Sequence, residues 1–294
     1  MIQSLLQHFD GDHMGWTATA RRQYGVRVCI GANSLMDKEW ALAVSLLPRP
    51  AKRGRPRVTD LRAVLDAILY IAWTGCQWRA LPERFPPVST VQRYFYRWRD
   101  DGTLRTINHH LMMMAREAKG RDASPSAGVI DSQSAKTIDV GGPRGYDAGK
   151  NVKGRKRHIL TDTEGHLVAA QVHTADIQDR DGAAPLLASV RSLCPWLRHV
   201  FADGGYAGPK LEAELVGKGN WTLEIVRRSD TVKGFVLLPR RWVVERTFAL
   251  LGRCRRLAKD FEATIASAEA WIFTASIRLL LRRLTAAQTL SAEL

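Results

Sequence analysis

Between residue 34 and about residue 120, apolar side chains recur every three or four positions; beyond that they come in short runs separated by polar turns. The first period predicts helices. In SLMDKEWALAVSLLP, Trp40, Val44 and Leu47 share one side and Pro48 supplies the stop. Thr59 and Asp60 cap a helix that carries Leu61, Val64, Leu65, Ile68, Leu69 and Ile71 at helical spacing. VSTVQRYFYRWRDDGTL predicts a second helix, capped by Ser89, with Val91, Tyr94, Phe95 and Trp98 inward and Gln92, Arg93, Arg97 and Arg99 outward. LRTINHHLMMMAREAKG gives a third, and the polar break RDASPSAG places a domain boundary near residue 124. Two helices joined by a Pro-rich turn, the second of them basic, suit a helix-turn-helix-like unit. An ordinary helical bundle with an arginine-rich surface accounts for the same pattern.

After the break the period shortens to two. GVIDS predicts a short buried strand, and RKRHILTDTEGHLVAAQVHT predicts a hairpin around Asp162-Thr163-Glu164-Gly165. DGAAPLLASVRSLCP reads as a helix capped by Asp181, HVFADGGY as a strand, GPKLEAELVGKG as a helix and WTLEIVRR as a strand. PRRWVVERTFALLGRCRRLAKDF and TIASAEAWIFTASIRLLLRRLTAA close the chain as two helices. This order predicts an α/β fold: an RNase H-like mixed sheet with flanking helices, preceded by a small all-α helix-turn-helix-like region. The expected organisation is a poorly ordered leader over 1–33, a helical domain over 34–123 with a basic linker at 52–58, and the sheet domain with its C-terminal helices over 124–294.

Composition narrows the partners. Of 294 residues 45% are hydrophobic and 25% charged, mean hydropathy is −0.21, and no apolar run reaches the roughly 20 residues that span a bilayer. No basic segment precedes an apolar core at the N-terminus, so a secretory signal is not expected. Four scattered cysteines form no CxxC pair, which points to reduced thiols in a cytosol. Forty-four Lys and Arg against 29 Asp and Glu leave +15, with a pI near 10.1. Such a surplus calls for a polyanion, nucleic acid rather than a membrane surface. In KRGRPRVTD, Arg53, Arg55 and Arg57 fit a minor groove, although a solvated linker has the same composition.

Two predicted strands end alike, VID at Asp131 and VFAD at Asp203, and in the predicted order they lie side by side as parallel neighbours. A strand that leaves the core at an exposed Asp explains either alone; the pair is more specific. Glu245 sits mid-helix in RRWVVERTF at the edge of the apolar stripe, with Arg241 one turn before it. An i, i−4 salt bridge is one reading of those two residues, and a third carboxylate on the strand ends is the other. Converging carboxylates repel unless a cation is present, and hard divalent ions take oxygen ligands. His109, His110, His173 and His199 lack zinc spacing, and Asp176, Asp179 and Asp181 read as loop and capping residues.

The blocks DSQSAKT, GGPRGYDAGKNVKGRKRHILTDTEG, ADIQDRDGA, ADGGYAG, GWTLEIVRR, KGFVLLPRRWVVERTFALLGRCRRLAKDFE and IRLLLRRL resemble, in order, bacterial insertion-sequence transposases. These are the DDE enzymes of the family named after insertion sequence five, and the likeness runs from about residue 36 to 285. It implies a catalytic and metal-binding triad of Asp131, Asp203 and Glu245 on two Mg²⁺ ions, for which Mn²⁺ substitutes. It also implies cleavage of the element's terminal inverted repeats and transfer of the 3′-hydroxyl ends into target DNA, in the bacterial cytoplasm and on the nucleoid. Arg241 matches the Arg of the wider family's Tyr-Arg-Glu-Lys signature, whereas Leu238 and Gly252 stand at its Tyr and Lys positions. Double-stranded DNA is the expected partner, held by a homodimer or higher oligomer. Between Arg144 and Arg157 six Lys and Arg face one Asp, so Arg144, Lys150, Lys153, Arg155, Lys156 and Arg157 are expected to track the backbone near the cut. Lys136, Arg241, Arg253, Arg255 and Arg256 extend that strip, and Arg93, Arg97 and Arg99 are expected to read the repeat. A DNA-binding regulator with a dead nuclease fold and a host nuclease of the same fold are the competing readings.

Overall fold

A computed structural model describes residues 34–50, 56–139, 141–219, 221–226 and 240–292. The leader expected over 1–33, Arg53, Arg55 and Leu238 lie outside the described residues. Four helices come first: α1 (Asp37–Leu46), α2 (Leu61–Thr74), α3 (Val88–Asp100) and α4 (Thr103–Glu117). Strands β1 (Ala127–Lys136), β2 (Gly145–Asp147), β3 (Val152–Asp162) and β4 (Leu167–Thr174) follow. Then come α5 (Asp179–Val190), β5 (His199–Ala202), α6 (Pro209–Leu215), β6 (Thr222–Ile225), α7 (Arg241–Gly252) and the long α8 (Ile265–Ala292).

Local chemistry fixes these elements. The Asp60 carboxylate accepts the N–H groups of Arg62 (2.8 Å) and Ala63 (3.3 Å) and caps α2, whose apolar residues are buried on most of its circumference. Helix α3 starts at Val88 behind Pro87, two residues earlier than a Ser89 cap would place it. At α5 the N-cap residue is Gln178; Asp181 falls inside the first turn and pairs with Lys210 at 2.7 Å. Acidic side chains there still complement the helix dipole.

The sheet runs β2-β3-β1-β5-β6, with β4 also paired to β3. β1, β3 and β4 are antiparallel, while β1, β5 and β6 run parallel. This is the mixed RNase H-like sheet anticipated from the element order. One expectation is corrected: β1 does not stop at Asp131 but continues to Lys136, paired with β3 throughout. Only its pairing with β5 stops early, at Val129 opposite Phe201. The short strand β2 was also absent from the sequence reading.

The described residues from 35 onward form one compact unit. The polar break near residue 124 interrupts the hydrophobic pattern, yet both sides of it share one core. Helix α8 packs on α1, α2, α3, α4 and β4. Its Trp271 stacks on Phe95 of α3 at 4.3 Å and lies 5.8 Å from Trp78. Trp271, Ile272, Phe273, Ile277, Leu280 and Leu281 are buried, each contributing about 1.5–3 kcal/mol.

A buried carboxylate ties the first helices to the sheet. Asp162, fully enclosed at the end of β3, accepts Arg116 of α4 at 2.6 Å and lies 3.0 Å from His166 Nδ1. Its other oxygen takes the N–H groups of Glu164 (2.9 Å) and His166 (2.8 Å). Burial pushes this carboxyl upward, but His166, the backbone and Arg116 outweigh it and hold the pKa at about 2.

Candidate active site

The β1–β5 register sets the site. Asp131 and Asp203 each stand two residues beyond the Val129–Phe201 pair, so both fall on the same side of the pleat at one level of the sheet. Asp131 Oδ1 accepts the Ser132 N–H at 2.7 Å. Asp203 caps the 3₁₀ turn Gly204–Tyr206 and accepts the Gly205 N–H at 2.8 Å. Val243, Val244, Thr247 and Leu251 bury one side of α7, which packs on β1 and β3. The Thr247 hydroxyl reaches the Gly165 carbonyl at 3.0 Å. Gly165 has φ 82°, and a Cβ there would stand 2.7 Å from that hydroxyl, so the hairpin turn and α7 meet only over a glycine.

This seating turns Glu245 outward, its side chain 56% exposed. Arg241 spans the gap: its Nη2 lies 3.7 Å from Asp203 Oδ2 and 3.5 Å from Glu245 Oε1. The i, i−4 ion pair and the approach of the third carboxylate to the strand ends are therefore both present. Asp131 pairs directly with no cation among the described residues. Burial, with the charge of Asp203 added, outweighs the Ser132 N–H, Lys150 and Arg241 and raises its pKa to about 6.

The donor set fits a divalent cation. The three side chains offer hard oxygens, and the unfavourable proximity of Asp131 and Asp203 is of the kind a cation relieves. Among the described residues, however, no three His, Cys, Asp or Glu groups are already closed around one point. The carboxylates share a rim, with Glu245 held on Arg241.

Behind the rim stands a network that sequence reasoning missed. Asp179, read as a loop residue, accepts the Ser132 hydroxyl and the Lys156 ammonium, both at 2.8 Å. A Cβ on Gly205 would lie 3.0 Å from Asp203 Oδ1 and 3.4 Å from Asp179 Oδ2, which puts a fourth carboxylate beside the site. Burial raises the Asp179 carboxyl, but Lys156 and Ser132 outweigh it and the net shift is downward. Tyr206 is buried beneath these groups, its hydroxyl pushed far up by burial and by the charges of Asp131, Asp179 and Asp203. The signal available in the sequence was the run of three acids before α5, with no way to say which one turned inward.

The structure divides the expected DNA-contacting residues. Arg57, Arg93, Arg97, Lys136, Arg144, Lys150, Lys153, Arg253 and Arg255 are exposed, and Arg241 is half-buried on the rim. Arg99 is mostly covered, bonded to Asp100 and Ser267. Four assignments are corrected. Arg155 is fully buried, pairs with Asp260 at 3.1 Å and donates to the carbonyls of Pro143, Glu262 and Ala263. Arg157 donates to the carbonyls of Leu257 (2.7 Å) and Lys259 (3.0 Å). Lys156 is bound to Asp179 and the Ile177 carbonyl, and Arg256 to Glu262 and the Cys76 carbonyl. These cations knit β3 and the segment before α8 into the fold and present no surface to DNA.

With this geometry in hand, comparison with known families defines the class. Residues 122–280, just over half of the chain, match the family described as "Transposase DDE domain". The chain belongs to that family, as the ordered sequence blocks indicate. Residues 35–108 also match a second family, described as "Putative transposase of IS4/5 family". A protein of Burkholderia cepacia named "Putative transposase for insertion sequence element IS402" is 34% identical over 116 residues, 37% of this chain and 54% of that protein. "Uncharacterized protein y4sN" of Sinorhizobium fredii is 37% identical over 86 residues, 29% of this chain and 66% of that protein. The chain thus spans between about half and two thirds of the length of these two relatives. DDE transposase domains use divalent metal ions, in keeping with the carboxylate rim. No helix among the described residues is long and apolar enough to cross a membrane.

Proposed function

We propose that this transposase binds the terminal inverted repeats of its insertion sequence, cuts the element ends and joins the released 3′-hydroxyls to target DNA by phosphoryl transfer. The observation that carries this reading is the register that sets Asp131 level with Asp203, with Arg241 linking Asp203 to Glu245. Asp131, Asp203 and Glu245 would hold two Mg²⁺ ions, with Mn²⁺ as a substitute; bound there, the ions polarise the scissile phosphate and make water a better nucleophile. Arg241 orients two of the three carboxylates before DNA arrives. Lys136 and Lys150, both exposed, balance phosphate charge as the backbone enters. The exposed Arg93 and Arg97 on α3 are the residues for reading the repeat, with residues 34–123 acting as the DNA-recognition region and 124–294 as the catalytic region. Water and then the 3′-hydroxyl serve as nucleophiles, in line with the leaving group. Joining two ends calls for at least two protomers on the DNA.

The test is a strand-transfer assay with Mg²⁺, a donor carrying the element's own repeats and a target plasmid. Joined products from the wild type and none from Asp203→Ala support the reading. Repeat binding without cleavage by the wild type would make the chain a regulator, and equal cleavage of unrelated DNA would make it a general nuclease.

A further inference from the structure

Between α4, the β3–β4 turn, α7 and α8 lies an open cavity of about 420 Å³. Its polar wall is Lys119, Glu164, His166, Arg246 and Arg283; Leu250 and Leu284 form part of the apolar wall. The charges do not balance. Glu164 is the carboxylate of this wall, and it is already shared between Lys119 at 2.8 Å and Arg121 at 3.2 Å. Arg246 meets no carboxylate among the described residues: Nη2 donates to the Glu164 carbonyl at 3.1 Å, the guanidinium stacks on Trp242 at 4.2 Å, and Nε is buried with no partner. Arg283 is half-buried with no hydrogen bond or ion pair among the described residues, and burial together with the charge of Arg246 lowers its pKa. Asp162, nearby, is saturated by Arg116, His166 and the backbone.

Half-buried guanidiniums side by side are costly unless a counter-anion completes them. The planar fork of Arg suits the tetrahedral oxygens of a phosphate, and two forks can grip one phosphate from two sides. Arg246 follows Glu245 directly on α7, so the cavity and the carboxylate rim share that helix.

We propose that Arg246 and Arg283 form an anion site that takes a backbone phosphate of the DNA, anchoring the duplex where α7 meets α8. This rests on the reading that the chain handles DNA, and it adds contacts outside the basic strip expected from the sequence. A phosphate contact of this kind contributes affinity and register without sequence preference.

The experiment measures binding of a random duplex of about 30 bp without Mg²⁺, as a function of KCl, for the full-length wild type and two double variants. Arg246→Gln/Arg283→Gln is expected to bind roughly tenfold more weakly at 0.1 M salt and to lower the slope of log K against log salt by about 1. Arg246→Lys/Arg283→Lys, which keeps the charge, is expected to retain most of the wild-type slope, which separates lost charge from misfolding. Inorganic phosphate is expected to raise the wild-type melting temperature and not that of the Gln pair. An unchanged slope and affinity in the Gln pair overturns the proposal. So does stabilisation by free phosphate with no change toward duplex, since the pocket would then take a small anion. Protection by an acidic peptide in place of duplex also overturns it, in favour of a protein partner. Because no cleavage is read, failure here leaves the Asp131, Asp203 and Glu245 assignment standing, and loss of that assignment leaves the binding result intact.

Discussion

Asp131 and Asp162 lie on neighbouring strands of one sheet, and water is largely withheld from both, yet their carboxyls are displaced in opposite directions. Burial raises each. At Asp162 an Arg, a His and two backbone N–H groups converge and bring the pKa to about 2. At Asp131 one N–H is supplied, the nearest added charge is another aspartate, and the pKa rises to about 6. The same chemical group is thus a completed structural joint at one end of β3 and an incomplete site across from its middle. What separates them is the set of partners, because desolvation acts on both. A buried acid whose partners are missing marks the place where a cation or a substrate belongs.

Five perturbations sharpen or break that contrast. Asp131→Asn is expected to reduce cleavage of repeat-ended DNA by about 10³-fold or more while leaving DNA affinity nearly unchanged, as read by single-turnover kinetics beside a binding titration. Asp162→Asn is expected to do the reverse: it leaves Arg116 uncompensated in the interior and costs about 3–5 kcal/mol, seen in denaturant melts. Arg155→Met should cost a similar amount by stranding Asp260, even though the segment around it reads as a DNA-binding strip.

The fourth perturbation is pH in metal-free buffer. Asp162 has a depressed folded-state pKa, so its stabilisation is present above about pH 4 and is lost as pH falls toward 2. Asp131 has a raised one, so its protonated form favours folding below about pH 4, and that contribution disappears as pH climbs through 6. The melting temperature of Asp131→Asn should therefore match the wild type near pH 4 and exceed it at pH 7, by about 1–3 kcal/mol in stability. A difference that shrinks with rising pH would break the contrast. The smallest effect is expected at Arg93→Ala, within about 0.5 kcal/mol in stability, with the loss confined to repeat binding.

Much of the fold and the rim was legible because both rest on short-range pattern. VID and VFAD announce two strands whose shared pairing ends two residues short of an acid, and the helical period of RRWVVERTF places Glu245 beside the apolar stripe. The buried cations of β3 were legible in principle. Arg155 and Arg157 share strand parity with Ile159, a core residue, so alternation alone turned them inward, whereas a simple count of charge turned them outward. Asp179 was beyond reach, since its partners Ser132 and Lys156 are 47 and 23 residues away and meet it only through the folded sheet. The pairing of Arg246 with Arg283 across two helices was equally hidden, as was the role of α8, whose Trp271 joins the helical half to the sheet half through Phe95.

The most direct measurement is single-turnover cleavage of a duplex ending in the element's own terminal repeat, with Mg²⁺, by the wild type, Asp131→Asn, Asp203→Asn, Glu245→Gln and the three double variants, each at matched folded fraction. Each single substitution is expected to lose about 10³-fold or more, and the doubles no more than the singles, as groups acting as one unit do. Cleavage within about tenfold of the wild type by any one of the three single variants would contradict the assignment of that carboxylate, and with it the triad.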